Sequence, residues 1–172
     1  MLRGEDVVLL LKLASSDQAW TIRSLGDEVG IARSVIHRSV GRLQTSGLFS
    51  PGRKRINAAS AEEFLIHAVK YVFPPEFGGE ARGVPTSWAA QPLVDRLAPS
   101  AGPPPVWPDP QGSTRGIGLQ PLHPVASDLS RSDPQLAESL ALVDALRTGD
   151  ARLRGVASEL LRERLFSGDA AL

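Results

Sequence analysis

Cysteine is missing from the 172-residue chain. Its absence excludes disulfides, cysteine-ligated zinc, iron–sulfur clusters and thiol nucleophiles together. Long hydrophobic runs are missing too. The longest, Val7 to Leu11, is cut by Lys12, far short of the roughly 20 residues that a membrane helix needs. The opening Met1-Leu2-Arg3-Gly4-Glu5-Asp6 lacks the basic-then-apolar-then-small order of a signal peptide. Net charge is zero, so long-range electrostatic steering is modest. With 42 % apolar and 22 % charged residues, the composition predicts a soluble cytoplasmic protein, one domain or a small domain plus an extension.

Catalytic constellations are equally scarce. The three histidines, His37, His67 and His123, show no ligand spacing, and there is no cysteine to complete a metal set. His67 reads as a half-buried structural residue. No Gly-x-Ser-x-Gly elbow or paired-carboxylate motif is present. The expectation is a protein that is not an enzyme and carries no cofactor or metal.

What is present is a charge asymmetry. Residues 1–60 hold nine Lys/Arg against five Asp/Glu, and residues 61–172 hold ten against fourteen. Between Ala32 and Ser60 there are six basic residues and no acid. A local basic face of this kind suits contact with a polyanion, though it also serves as an ordinary solvated surface.

Apolar spacing at three and four residues predicts a first helix over about 4–15, burying Val7, Val8, Leu10, Leu11 and Ala14. Thr21 is placed to cap a second short helix with Ile22, Leu25 and Val29 inward, ended by Gly30. A third helix runs to about Thr45, stopped by Gly47, with Leu48 returning to the core. Its faces differ. Val35, Ile36, Val40 and Leu43 point inward, while Arg33, Ser34, His37, Arg38 and Arg42 point outward, with the small Gly41 on the same side. Short polar groups near the N-terminus, followed by arginines that fork onto guanine or phosphate, suit a helix reading the major groove. An amphipathic surface helix shows the same alternation. Leu48 to Asn57 reads as two very short strands around a Pro-Gly turn, with Arg53, Lys54 and Arg55 at the tip, placed for phosphates or the adjacent minor groove. Ser60 is expected to cap a further helix over 61–73, with Glu62 and Glu63 in its first turn.

The order helix, helix, turn, helix, basic hairpin resembles the winged helix-turn-helix of bacterial transcription regulators, most nearly the MarR and IclR groups. Three stretches carry the resemblance: Ile22-Arg23-Ser24-Leu25-Gly26-Asp27-Glu28-Val29-Gly30-Ile31, Ala32-Arg33-Ser34-Val35-Ile36-His37-Arg38-Ser39-Val40-Gly41-Arg42-Leu43, and Gly47-Leu48. It covers about residues 5–60, and the hairpin is short for a wing. The resemblance implies that Ser34, His37 and Arg38 face bases of double-stranded DNA, while Arg42, Arg53, Lys54 and Arg55 hold phosphates; Thr21 and Arg33 are further candidates for DNA contact. It also implies a homodimer on a pseudo-palindromic operator.

Residues 74–131 change character. Ten of the fourteen prolines lie between Pro74 and Pro110, a density that forbids long helices and central strands. Phe77, Trp88, Val106, Trp107, Ile117, Leu119 and Leu122 nevertheless persist, which argues for an ordered, irregular wrap rather than a disordered linker. Trp88 and Trp107 read as packing residues. Within the wrap, Ser87 to Leu97 suits a short helix broken at Pro92, and Thr114 to Leu119 an edge strand pairing with Val106-Trp107. Gly78 to Thr86 has phosphate-loop composition without the Gly-Lys-Ser/Thr ending, so it reads as a structural loop. Ser132-Asp133-Pro134 opens a helix burying Leu136, Leu140, Val143 and Leu146, and Asp150 caps a last one carrying Leu153, Val156, Leu160, Leu161 and Leu165. This pair, 132–172, suits a core element or a dimer seam.

Lys70-Tyr71-Val72-Phe73-Pro74, Gly83-Val84-Pro85-Thr86 and Pro105-Val106-Trp107-Pro108 also resemble a group of uncharacterised bacterial winged-helix proteins encoded beside nucleotidyltransferase-like toxins. That likeness implies an alternative role as an antitoxin-like module binding a neighbouring toxin protein. The combined expectation is a mainly α fold with a small β-hairpin (α+β): a DNA-binding unit over 1–73, a Pro/Gly-rich segment over 74–131, and a helical pair over 132–172.

Overall fold

A helix built from apolar residues on every side has to sit at the centre of its protein. Pro134–Thr148 is that helix, with 11 of its 15 residues buried. Asp133 caps it by accepting from the Leu136 amide, Pro134 occupies its first turn, and Gly149 follows its end. The computed structural model describes residues 1–98 and 100–167. In chain order the helices are α1 (Gly4–Ala14), α2 (Ile22–Val29), α3 (Arg33–Thr45), α4 (Ala58–Glu63), α5 (Val69–Val72), α6 (Ala126–Ser132), α7 (Pro134–Thr148) and α8 (Ala151–Leu165). The strands are β1 (Phe49–Ser50), β2 (Arg55–Ile56), β3 (Phe77–Pro85), β4 (Pro105–Pro108) and β5 (Thr114–Leu119). The mainly α fold with a small hairpin is as expected. Among the described residues, no helix is long and apolar enough to cross a membrane.

One buried cluster runs from Val7–Leu11 of α1 through Leu25, Ile36, Leu43 and Leu65 to Leu136–Leu146 of α7 and Leu160–Leu161 of α8. The helix after the hairpin starts earlier than its sequence suggests. It begins at Ala58, so Ser60 is not its cap and Glu62 and Glu63 lie beyond its first turn. Phe64–Ala68 forms a wider π-turn between α4 and α5. His67, expected to be half-buried, is exposed.

Residues 74–131 hold a sheet where an irregular wrap was expected. β3, read as a loop from its glycines, is the longest strand. It pairs antiparallel with both β4 and β5, and β4 runs parallel to β5, so the three strands close into a ring. The expected β4–β5 pairing is present. Ser87–Ala89 forms a single 3₁₀ turn, and α6 adds a short helix that its sequence did not suggest.

Glycine serves this ring through sterics. A Cβ on Gly83 would lie 1.9 Å from the Trp107 carbonyl oxygen, and one on Gly116 would lie 2.0 Å from that of Pro104. Only a residue without a side chain lets the backbones approach so closely. Trp107 of β4 is buried, and its indole N–H donates to Asp144 of α7 at 2.7 Å. Thr86 Oγ1 donates to the same carboxyl oxygen at 2.7 Å, and Arg147 donates to the other at 2.6 Å. Arg147 in turn donates to the Phe73 carbonyl at 2.8 Å. Burial pushes the Asp144 carboxyl up, against the pull of Arg147, Thr86 and Trp107.

Two outcomes are expected. Gly83→Ala lowers stability in urea titration by about 1–3 kcal/mol or more, whereas Gly52→Ala, with no atom within 4 Å of the added carbon, leaves it nearly unchanged. His123 contributes a pH limb. Its burial lowers its pKa, partly countered by Glu5, and its Nδ1 accepts from the Val125 amide at 3.2 Å. A depressed histidine pKa means the folded state binds the proton less well than the unfolded chain, so this stability is present above about pH 6.5 and is lost as pH falls. Between about pH 7 and 5, His123→Gln removes that part of the decline in thermal midpoint.

Candidate nucleic-acid interface

Two short helices meet through the three-residue connection Gly30–Ala32. At the start of α2, Thr21 Oγ1 accepts from the Ser24 amide at 3.0 Å while Ser24 Oγ accepts from the Thr21 amide at 2.9 Å. This reciprocal pair fixes where the helix begins. At its end Gly30 turns left-handed with φ 71°, and its amide and that of Ile31 both donate to the Gly26 carbonyl. Ile31 is buried, which pins the turn before α3 starts.

The α3 helix divides as its sequence suggests, with one exception. Ile36 and Leu43 are buried, Val35 and Val40 half-buried, and Arg33, Ser34, His37, Arg38 and Gly41 exposed. Space around Gly41 is open. Arg33 lies 3.8 Å from Asp27, with both side chains more than half exposed. A pair of that kind contributes at most about 1 kcal/mol and releases its arginine readily.

Arg42 is the exception and a correction. It was expected outward, on phosphate. Instead it folds back onto α1, donating from Nε and Nη2 to Asp6 at 2.8 Å each and from Nη2 to Glu5 at 2.9 Å. Its side chain is only 20 % exposed, and Asp6 only 1 %. Asp6 also accepts from the buried Ser39 hydroxyl at 2.6 Å and from the Arg3 amide at 2.7 Å. Hydrogen bonding to Asp6 raises the Arg42 pKa. A carboxylate with its lone pairs filled by four donors is tolerable in the core; one with a donor removed is not. Sequence reasoning missed this group, although an acid and a serine on otherwise apolar helix faces are the signal that finds it.

The hairpin after α3 pairs Phe49 with Ile56 and Ser50 with Arg55. Phe49 is buried against Trp20, ring centroids 5.8 Å apart. The tip residues Arg53, Lys54 and Arg55 are all exposed. Lys54 takes φ 52°, a left-handed conformation that costs an L-residue roughly 1 kcal/mol. Arg55 lies 3.8 Å from the exposed Asp17. The structure therefore places Arg33, Ser34, His37 and Arg38 along one open helix face and Arg53, Lys54 and Arg55 on the hairpin that follows. Thr21 is committed to capping α2. Among the described residues, no group of three histidine or acidic side chains is arranged to hold a metal ion.

The chain matches no protein-family model, no curated protein and no solved structure. The geometry and the sequence carry the functional argument alone.

Removing Asp6 tests the clamp between α1 and α3. Asp6→Ala is expected to cost about 3 kcal/mol, because the buried Ser39 hydroxyl loses its acceptor and Arg42 keeps only Glu5. A double-mutant cycle of Asp6→Ala with Arg42→Ala gives a coupling of about 1–3 kcal/mol in chemical denaturation.

Proposed function

We propose that the chain is a sequence-specific, double-stranded DNA-binding transcription regulator of winged helix-turn-helix type. In this reading α3 enters the major groove and the hairpin contacts the flanking backbone. One observation carries it: the exposed face of α3 presents Arg33, Ser34, His37 and Arg38 while its opposite face is anchored in the core. Small polar and forked cationic side chains are the groups that read base edges. The hairpin adds three exposed cations without a neighbouring base-reading group, which suits phosphate contact. The protein acts in the cytoplasm as a homodimer, and two-fold symmetry then calls for half-sites about one helical turn apart. Arg42 is removed from the contact set because Asp6 and Glu5 hold it.

A second reading, a module that binds a neighbouring toxin protein, draws on different residues. Tyr71, Val72 and Phe77 are 77, 43 and 56 % exposed, more apolar surface than a short stretch needs to leave uncovered. Co-purification with an adjacent gene product that survives Arg38→Glu and is lost in Phe77→Ser supports this role over DNA binding.

Fluorescence anisotropy on duplex DNA from the upstream promoter separates the two kinds of DNA contact. Arg38→Ala weakens operator binding by about 1–3 kcal/mol and flattens preference at one base pair per half-site. Lys54→Ala weakens operator and random duplex alike and reduces the salt slope by about one unit. Binding that is absent, or insensitive to salt, overturns the proposal.

A further inference from the structure

A groove of about 570 Å³ opens between the end of α1, the loop 16–20, the basic hairpin and the last turn of α8. That volume lies within the range of about 300–1,000 Å³ that holds small organic ligands. Its lining is divided by chemistry. Leu13, Trp20 and Phe166, all partly buried, supply its apolar lining, and Arg53, Lys54 and Arg55 add three cations. Among the described residues, the single acid lining it is Asp17. Its carboxylate is 92 % exposed and, among the described residues, pairs only with Arg55, at 3.8 Å, a contact that binds weakly in water. Arg53 and Lys54 make no ion pair among the described residues.

We propose that this groove binds a small amphipathic carboxylate. The ligand's anionic end takes the place of Asp17 beside Arg55 and engages Arg53. Its apolar body lies against Trp20 and Phe166. Charge complementarity favours an anion over a neutral or cationic amphiphile. The apolar lining favours an organic acid over an inorganic ion, since transfer of carbon surface from water supplies most of the binding. The site stands apart from the DNA reading, because none of its elements needs nucleic acid to be present. It shares the hairpin cations with that reading, so an occupied groove competes for the groups proposed to hold phosphate.

Isothermal titration calorimetry of the full chain tests the site directly, with dodecanoate as probe and dodecanol and dodecylammonium as controls, the two ions below their micelle-forming concentrations and the alcohol below its solubility limit. Dodecanoate is expected to bind with one-to-one stoichiometry, about tenfold or more tighter than either control. The double variant Arg53→Gln/Arg55→Gln, altering two exposed side chains, weakens dodecanoate by about tenfold and leaves dodecanol unchanged. Asp17→Asn strengthens dodecanoate by removing the competing acid. Equal binding of the three probes, no heat with dodecanoate at about 1 mM at either of two temperatures about 20 °C apart, where the heat-capacity change of apolar burial makes at least one enthalpy non-zero, or an unchanged affinity in the double variant each overturns the proposal. Anisotropy with duplex DNA, run separately, reports on the DNA reading: calorimetric binding without any DNA affinity leaves the groove in place and removes the regulator.

Discussion

Asp144 and Arg147 lie one turn apart on the central helix, with side chains only 1 % and 4 % exposed. Burying two charges is unfavourable unless every donor and acceptor finds a partner. Here the partners come from distant parts of the chain: the Trp107 indole, the Thr86 hydroxyl and the Phe73 carbonyl. One polar centre thus fixes the end of the N-terminal helices, the 3₁₀ turn and β4 against α7. Nonspecific apolar contact tolerates sliding; a set of directed hydrogen bonds about a buried charge does not. No buried side-chain polar atom among the described residues lacks a partner.

A second buried carboxylate plays the corresponding part for α3. Asp6 joins α1 to α3 through Ser39 and Arg42, and the α1 leucines join α7 through the common core. The exposed face of α3 is therefore held by a chain of rigid contacts from the centre of the molecule outward. A surface helix carrying polar and cationic side chains gains precision from such support. The hairpin is tied down less, by Phe49 on Trp20 and by Asn57 donating to the Leu48 carbonyl, and its tip stands in solvent.

The helical ends of the chain and its middle were legible to different degrees for physical reasons. Helical periodicity is a local property, so α1, α2, α3, α7 and α8 could be read from spacing, and their caps at Thr21, Asp133 and Asp150 from side chains that bond their own backbone. The strand β3 could not. Its glycines look like a loop until the strands beside it are known, because the reason for Gly83 is the approach of Trp107 from elsewhere in the chain. α4 starts three residues before the position that Ser60, a good cap by type, suggests, because Asn57 already precedes the helix.

By itself the sequence determined the apolar stripes, the capping residues, the turn at Gly30 and the basic run of the hairpin, since each depends on neighbours within a few positions. Tertiary structure decided which charges are free. Arg38 and Arg42 stand four residues apart on one helix and look alike in sequence. One meets solvent, and the other meets Glu5 and a buried Asp6. That difference is set by how α1 crosses α3, a long-range arrangement in which desolvation of a carboxylate selects its cation, and no local pattern encodes it.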